Sequence, residues 1–280
     1  MIVYRTREDL SKHLKMLQEQ GKTIGLVPTM GALHEGHASL VRQASSENDV
    51  VVVSIFVNPT QFNDPADLKN YPRQLEADLD LLQSMQVSIA FTPAVKEMYP
   101  EEDQRTFDLG GLDQVLEGAH RQGHFTGVAQ IVSKLFDLIK PTRAYFGQKD
   151  FQQLVIVRRL VKLLQMKIEI VPCPTVREQD GLAMSSRNML LSDEERKAAP
   201  FIHQTLRLAR EKKGSMTPDE VRAWVVSRFQ NQRLMHLVYF DIVEDKKLES
   251  VSDWSQQMNK VGCIAVQFGE VRLIDNLIFN

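Results

Sequence analysis

The chain of 280 residues contains only two cysteines, Cys173 and Cys263. They form no metal-ligand spacing and require no disulfide, which fits a reducing compartment. Neither sign of charge dominates: 34 Lys and Arg stand against 36 Asp and Glu, a net charge of -2. That balance excludes a general pull toward nucleic acid or an anionic membrane, so an anionic ligand must be met by locally placed cations. No apolar run approaches the roughly 20 residues of a membrane span. The start, Met1-Ile2-Val3-Tyr4-Arg5, lacks the apolar core of a secretory signal. The expectation is a cytoplasmic protein with neither membrane nor nucleic acid as partner. The chain also has no Gly-x-x-x-x-Gly-Lys-Ser/Thr loop, no Gly-x-Gly-x-x-Gly fingerprint and no Gly-x-Ser-x-Gly elbow. What is left is 43% hydrophobic and 25% charged, ordinary for one large or two average globular domains.

The chain is organised around residues 28–37, Pro-Thr-Met-Gly-Ala-Leu-His-Glu-Gly-His. Before it, residues 23–27 read as a buried strand; after it, residues 38–44 begin a helix. Strand, glycine turn and helix together make a phosphate site, with free backbone N–H groups and the helix dipole aimed at the ligand. A structural turn needs no imidazole, so His34 and His37 point to chemistry. They stand three apart, not the four of a zincin helix, and no third ligand is evident, which makes zinc hydrolysis the lesser reading.

Residues 7–20 read as an amphipathic helix closed by Gly21. Residues 50–57 form a continuous β-branched run, the mark of a parallel strand covered on both faces. Further strands are expected at 87–91, 144–146 and 167–171, and helices at 75–85, 128–140 and 151–164. Then the texture changes. A capping box at Ser192 opens a helix to about residue 212, and a second cap at Thr217, with proline at the first helical position, opens one to about residue 231. Strand-like runs follow at 237–243, 262–268 and 271–278, the last two joined by a hairpin at Gly269-Glu270. The expected fold is α/β: a Rossmann-like doubly wound parallel sheet in residues 1–175, then a smaller α+β domain in residues 176–280.

Four further stretches carry chemistry. Asn58-Pro59-Thr60-Gln61-Phe62 lies at the carboxyl end of the second strand, where open α/β sheets bind ligands. Asn-Pro favours a turn by itself, but the Gln61 amide has no role in one and suits a hydroxyl or amine. Residues 121–128, Arg-Gln-Gly-His-Phe-Thr-Gly-Val, form a glycine-punctuated turn opening a helix; the lone His124 reads first as structural. Gly147-Gln148-Lys149-Asp150 repeats the strand–glycine–helix arrangement with a lysine to neutralise phosphate. Asp150 there reads as a helix N-cap, and Gln153 lies one turn further on. Met184-Ser185-Ser186-Arg187 has no apolar periodicity. It offers two hydroxyls and a guanidinium to phosphate oxygens, with a solvated linker as the equal alternative. Together these stretches describe a nucleotide site acting by positioning and electrostatics.

Five blocks, PTMGALHEGH (28–37), NPTQF (58–62), GHFTGV (123–128), FGQKDFQQ (146–153) and DGLAMSSRN (180–188), resemble in order the pantothenate synthetase (pantoate–β-alanine ligase) family. The histidine turn also resembles the HIGH motif, and residues 184–187 the KMSKS loop, of the wider nucleotidylyltransferase superfamily. The resemblance implies adenylation of the (R)-pantoate carboxylate by ATP, release of pyrophosphate, and attack by β-alanine to give pantothenate and AMP. Mg²⁺ would ride on the ATP phosphates, with no metal ligand from the protein. ATP contacts are implied at Met30, Gly31, Ala32, Leu33, His34, Glu35, Gly36 and His37, and at Gly147, Gln148, Lys149 and Asp150. The backbone of Val176 and residues Met184, Ser185, Ser186 and Arg187 complete them. His37 matches the family's proton donor, with His34, Lys149, Ser185, Ser186 and Arg187 acting beside it. Gln61 and Gln153 match the pantoate contacts, with Asn58 assisting. Gln148 departs from the pattern, in which Glu is commoner, and removes a charge beside Lys149. Members are usually cytoplasmic homodimers. The last hundred residues carry little motif signal.

Two other classes stay open. A nucleotidylyltransferase acting on a phosphorylated acceptor would want a more basic pocket than Asn58, Gln61 and Gln153 offer. A nucleotide-binding regulatory module would show no turnover.

Overall fold

The computed structural model describes residues 1–279. A parallel sheet contains β1 (Ile2–Tyr4), β2 (Ile24–Thr29), β3 (Val50–Ile55), β4 (Ile89–Phe91), β5 (Arg143–Gly147) and β6 (Glu169–Cys173), in the order β1-β4-β3-β2-β5-β6. β2 and β3 pair from Ile24 opposite Val50 to Thr29 opposite Ile55. Their side chains alternate between two cores. Ile24, Leu26, Val50 and Val52 enter one, and Val27, Val51, Val53 and Ile55 the other. Burial on both faces is the reason the β3 run is apolar throughout. β1 was not expected; it is a short, largely exposed edge strand, without enough residues to show a period.

The helix His124–Ile139 covers the first face, burying Val128, Val132, Leu135, Phe136 and Ile139. The helices Glu35–Glu47 and Leu75–Ser84 cover the second through Val41, Ala44 and Leu82. The helix His124–Ile139 begins four residues before the expected start at 128, because Gly123 (φ 79°) makes the turn by itself and frees the following residues to be helical. Strand order reverses between β2 and β5, where doubly wound sheets hold their ligands. Only Gly25 with Arg143 and Leu26 with Ala144 pair there. Further along β2, Pro28 has no N–H with which to extend a ladder.

The smaller sheet is antiparallel, β7 (His236–Glu244), β8 (Lys260–Phe268) and β9 (Val271–Ile278), with the expected hairpin between Phe268 and Val271. Val261 and Cys263 of β8 join the core of the parallel sheet, while Ile264, Val266 and Phe268 face a separate core. The helices Phe201–Glu211 and Pro218–Phe229 close that second core. The expected capping box forms between Ser192 and Glu195, and the expected cap at Thr217 is also a capping box, with Glu220. The single helix expected from residue 192 to 212 is two, Asp193–Ala198 and Phe201–Glu211. Pro200, which has no N–H to give, stands at the break. Among the described residues no helix is long and apolar enough to cross a membrane.

Candidate active site

Beyond β2 the chain turns through Gly31 (φ 81°) and Ala32 (φ 50°). The turn is held from below. Ala32 and Leu33 donate their N–H groups to the buried carboxylate of Asp78, at 3.0 and 2.7 Å. A Cβ on Gly31 would stand 2.9 Å from Asp78 Oδ2, so the position needs glycine for space as well as for φ. These two donors are therefore not free for a ligand, contrary to expectation; Asp78 has them.

His34 is the N-cap of the helix Glu35–Glu47. Its Nδ1 accepts the Gly36 N–H at 3.1 Å, and Nδ1 of His37 accepts the His34 N–H at 3.3 Å. The two imidazoles thus build a capping box, which corrects the view that this turn has no structural use for them. An Nδ1 that accepts puts the ring hydrogen of a neutral histidine on Nε2. Burial, and then the charge of Lys149, lowers His34 to about 4; burial, and then His34 itself, lowers His37 to about 3. Near neutral pH both rings are uncharged Nε2–H donors. Their centroids are 4.2 Å apart and both line the central cavity.

After β5 a single 3-10 turn, Gln148–Asp150, leads into the helix Phe151–Leu163. Asp150 stands at the N-cap position but makes no capping bond; its carboxylate lies 3.5 Å from Lys149 Nζ. Gln153 lines the cavity, and its amide has no protein partner among the described residues. Its neighbour Gln152 is structural. It accepts the Glu117 N–H at 3.0 Å and donates to the carbonyls of Leu112 and Val115 at 2.7 and 2.8 Å.

Asn58 is buried with both amide ends engaged. Oδ1 accepts from the Tyr99 hydroxyl at 2.8 Å, and Nδ2 donates to Gln61 Oε1 and the Gly127 carbonyl, each at 3.1 Å. Asn58 orients Gln61 and has little left for a substrate. Gln61 Nε2 then stands 2.9 Å from Met30 Sδ. His124 donates Nδ1–H to the Gln61 carbonyl at 2.6 Å, so its tautomer is opposite to that of His34 and His37. Burial, and then the Arg121 charge, lowers His124 to about 3. It is structural as expected, and it also lines the cavity.

Gly127 lets the helix His124–Ile139 approach this loop. A Cβ there would overlap the Thr60 carbonyl and stand 2.6 Å from the Gln61 nitrogen. Gly127→Ala is expected to displace Gln61, lower stability by about 2 kcal/mol through overpacking and raise KM for the Gln61 ligand more than KM for the nucleotide. Denaturant melts and separate substrate titrations check it; unchanged stability would mean the loop yields freely.

The loop 184–190 is built, not a solvated linker. Met184 N–H donates to the Val176 carbonyl at 3.0 Å, so that carbonyl already has one partner. Ser185 Oγ accepts the Arg187 N–H at 3.3 Å, and Ser186 Oγ lies 3.2 Å from the Tyr71 hydroxyl. Arg187 Nη2 reaches both oxygens of Asp67, at 2.9 and 3.1 Å, and its guanidinium lies over the Tyr71 ring.

Sequence reading found the strand β9 but missed what its polar residues hold. Arg272 binds Glu117 at 2.6 Å, Asp275 takes Arg177 at 2.7 and 3.0 Å, and Asn276 donates to the carbonyls of Gln148 and Lys149. The available signal was polar residues, two of them adjacent, inside an otherwise apolar strand. All of these segments converge on one cavity of about 440 Å³, lined by His34, His37, Gln61, Lys149, Gln153 and Arg187.

The sequence model of the Pantoate-beta-alanine ligase family matches residues 2–278. The chain belongs to this family. It is 54% identical over 277 residues to the pantothenate synthetase of Bacteroides thetaiotaomicron, covering 99% of this chain and 98% of that one. It is 49% identical to the Porphyromonas gingivalis pantothenate synthetase over 277 residues, 99% of each chain. The crystal structure of pantothenate synthetase from Thermus thermophilus superposes with a TM-score of 0.92 at 44% identity, over 99% of both chains. That of the Francisella tularensis pantoate-beta-alanine ligase, complexed with beta-gamma ATP and beta-alanine, gives 0.81 at 37%, over 100% of this chain and 98% of that one.

In this ligase fold the three depressed histidines predict an acid-labile protein. Unfolded, each takes up a proton near its ordinary value of 6.5; folded, His34 does so only near 4, and His37 and His124 near 3. Between those limits the unfolded chain binds more protons, so the stability present above pH 6.5 is lost as pH falls. The slope approaches about 1.4 kcal/mol per pH unit for each ring that is protonated unfolded and neutral folded. Urea melts from pH 7.5 to 4.5 read this directly; a flat midpoint would contradict it.

Proposed function

We propose that the chain joins (R)-pantoate to β-alanine at the expense of ATP. A pantoate carboxylate oxygen attacks the α-phosphorus, the bond to pyrophosphate breaks, and a pantoyl-adenylate forms. The β-alanine amine then attacks the acyl carbon, AMP leaves with the former carboxylate oxygen, and the nitrogen gives up a proton. The single observation carrying this reading is the convergence at the β2/β5 crevice of two uncharged Nε2–H imidazoles, Lys149 and Arg187 on one cavity. Neutral donors and fixed cations of this kind stabilise charge developing on phosphate oxygens.

In this reading ATP lies along Met30 to His37, Gly147 to Asp150, Val176 and Met184 to Arg187. His34 and His37 donate to the phosphates, Lys149 and Arg187 neutralise them, and Ser185 and Ser186 add hydroxyl donors. Gln61 and Gln153 hold pantoate, and Asn58 acts by orienting Gln61. Residues 1–175 form the ATP- and pantoate-binding domain and residues 176–280 a lid. Mg²⁺ enters as MgATP, held by the phosphate oxygens. A cytoplasmic homodimer follows the family pattern, and two buried free cysteines suit a reducing compartment; light scattering tests the dimer.

The deciding experiment is exchange of labelled pyrophosphate into ATP. It is expected to require pantoate and not β-alanine. Exchange that ignores pantoate but follows a phosphorylated acceptor would favour the nucleotidylyltransferase, and no AMP from all three substrates the regulatory module.

A further inference from the structure

Lys149 sits on a three-residue turn with no capping side chain of its own. What fixes that turn comes from the other sheet, 127 residues further on. Asn276 Nδ2 donates to the Gln148 carbonyl at 2.8 Å and to the Lys149 carbonyl at 2.9 Å. Two carbonyl acceptors demand an NH₂ group, so the amide orientation is set by its partners. Asn276 is itself held. It is 8% exposed, and its N–H donates at 2.8 Å to Asp275, whose carboxylate takes both Arg177 nitrogens at the root of the Ser-Ser-Arg loop. Arg272 and Ile274 share the cavity-lining row of β9 with Asn276. Consecutive residues of one strand, Asp275 and Asn276, therefore hold two segments that line the cavity.

We propose that Asn276 is a positioning residue for adenylation: its amide clamps the Gln148–Lys149 carbonyls and so sets where the Lys149 ammonium stands in the cavity. This rests on the reading of Lys149 as a phosphate-facing cation. On this view the C-terminal sheet is part of the adenylation site as well as a cover for it. A residue that acts only through Lys149 loses its influence when Lys149 is gone, whereas a merely structural residue does not.

The test is a double-mutant cycle on pantoate-dependent pyrophosphate exchange, with wild type, Asn276→Ala, Lys149→Ala and the double variant. Asn276→Ala is expected to lower the maximal exchange rate about tenfold, with KM for pantoate nearly unchanged. In the Lys149→Ala background the same change is expected to cost less than about twofold. Asn276→Asp keeps the shape and loses the donors, and is expected to match Asn276→Ala. Additive losses in the cycle would overturn the proposal. So would wild-type exchange in Asn276→Asp, or failure of both Asn276 variants to fold, which would make the clamp structural. Absence of pantoate-dependent exchange in the wild type would instead strike the underlying reading.

Discussion

Asp78→Ala is expected to lower stability by about 3 kcal/mol and pantoate-dependent exchange by roughly a hundredfold, although Asp78 is not among the residues lining the cavity. The carboxylate is 1% exposed and accepts two backbone N–H groups from the histidine turn. Hydrogen bonds to a charged acceptor contribute about 1.5–3 kcal/mol each, and a buried donor left without a partner costs about 1–3 kcal/mol. The loss is partly offset because the variant no longer buries a carboxylate, which is why the expected figure stays below the sum. Ala32 meanwhile sits at φ 50°, a conformation an L-residue keeps only when its surroundings hold it there. Without Asp78 the turn relaxes, and His34 and His37, which follow at once, lose their aim. Asp78→Asn separates the terms: one N–H can still find Oδ1, while the other meets the amide NH₂. Its stability is expected between wild type and alanine, with exchange nearly as poor as for alanine. A normal unfolding midpoint together with normal exchange in Asp78→Ala would remove Asp78 from the account of the turn.

This dependence also marks where sequence reading stops. The parallel sheet was legible because burial on both faces leaves a run such as Val50–Ile55 almost without polar interruption. The caps at Ser192 and Thr217 were legible because each is local, a hydroxyl and a glutamate three residues apart. The cavity-lining side chains His34, His37, Lys149 and Arg187 stood out because their segments have no apolar period to explain them. The residues holding those segments did not stand out. Asp78 reads as one more acidic residue on an amphipathic helix, and Gln152 is overshadowed by Gln153. Arg272, Asp275 and Asn276 act on segments about a hundred residues or more away in the chain. Such partners leave no spacing to detect, since the contact exists only once both sheets have folded. The position of Pro200 was visible, but the strength of the capping box at Ser192 masked the break it makes.

His37→Ala is expected to reduce adenylation by a factor of roughly 10²–10³, the usual loss for one preorganised donor to a developing anion. Stability is expected to fall as well, by about 1 kcal/mol, because a cap goes with it. The two effects belong to different atoms of one ring. Nδ1 accepts the His34 N–H at 3.3 Å, and Nε2–H is left for the cavity. Amide side chains can restore them one at a time. In asparagine Oδ1 stands where Nδ1 stood, so His37→Asn is expected to recover the cap and the stability but not the activity. In glutamine the terminal NH₂ reaches toward the Nε2 position, so His37→Gln is expected to recover part of the exchange rate and none of the cap. Lowered by burial to about 3, the wild-type ring does not titrate between pH 5 and 8. The glutamine variant, which has no titrating group at this position, should therefore share the wild-type pH profile over that range while differing in rate. Urea melts and pyrophosphate exchange on the three variants read both roles in parallel. If asparagine restored exchange and glutamine did not, the donor would have to be sought elsewhere, with His34 the first place to look.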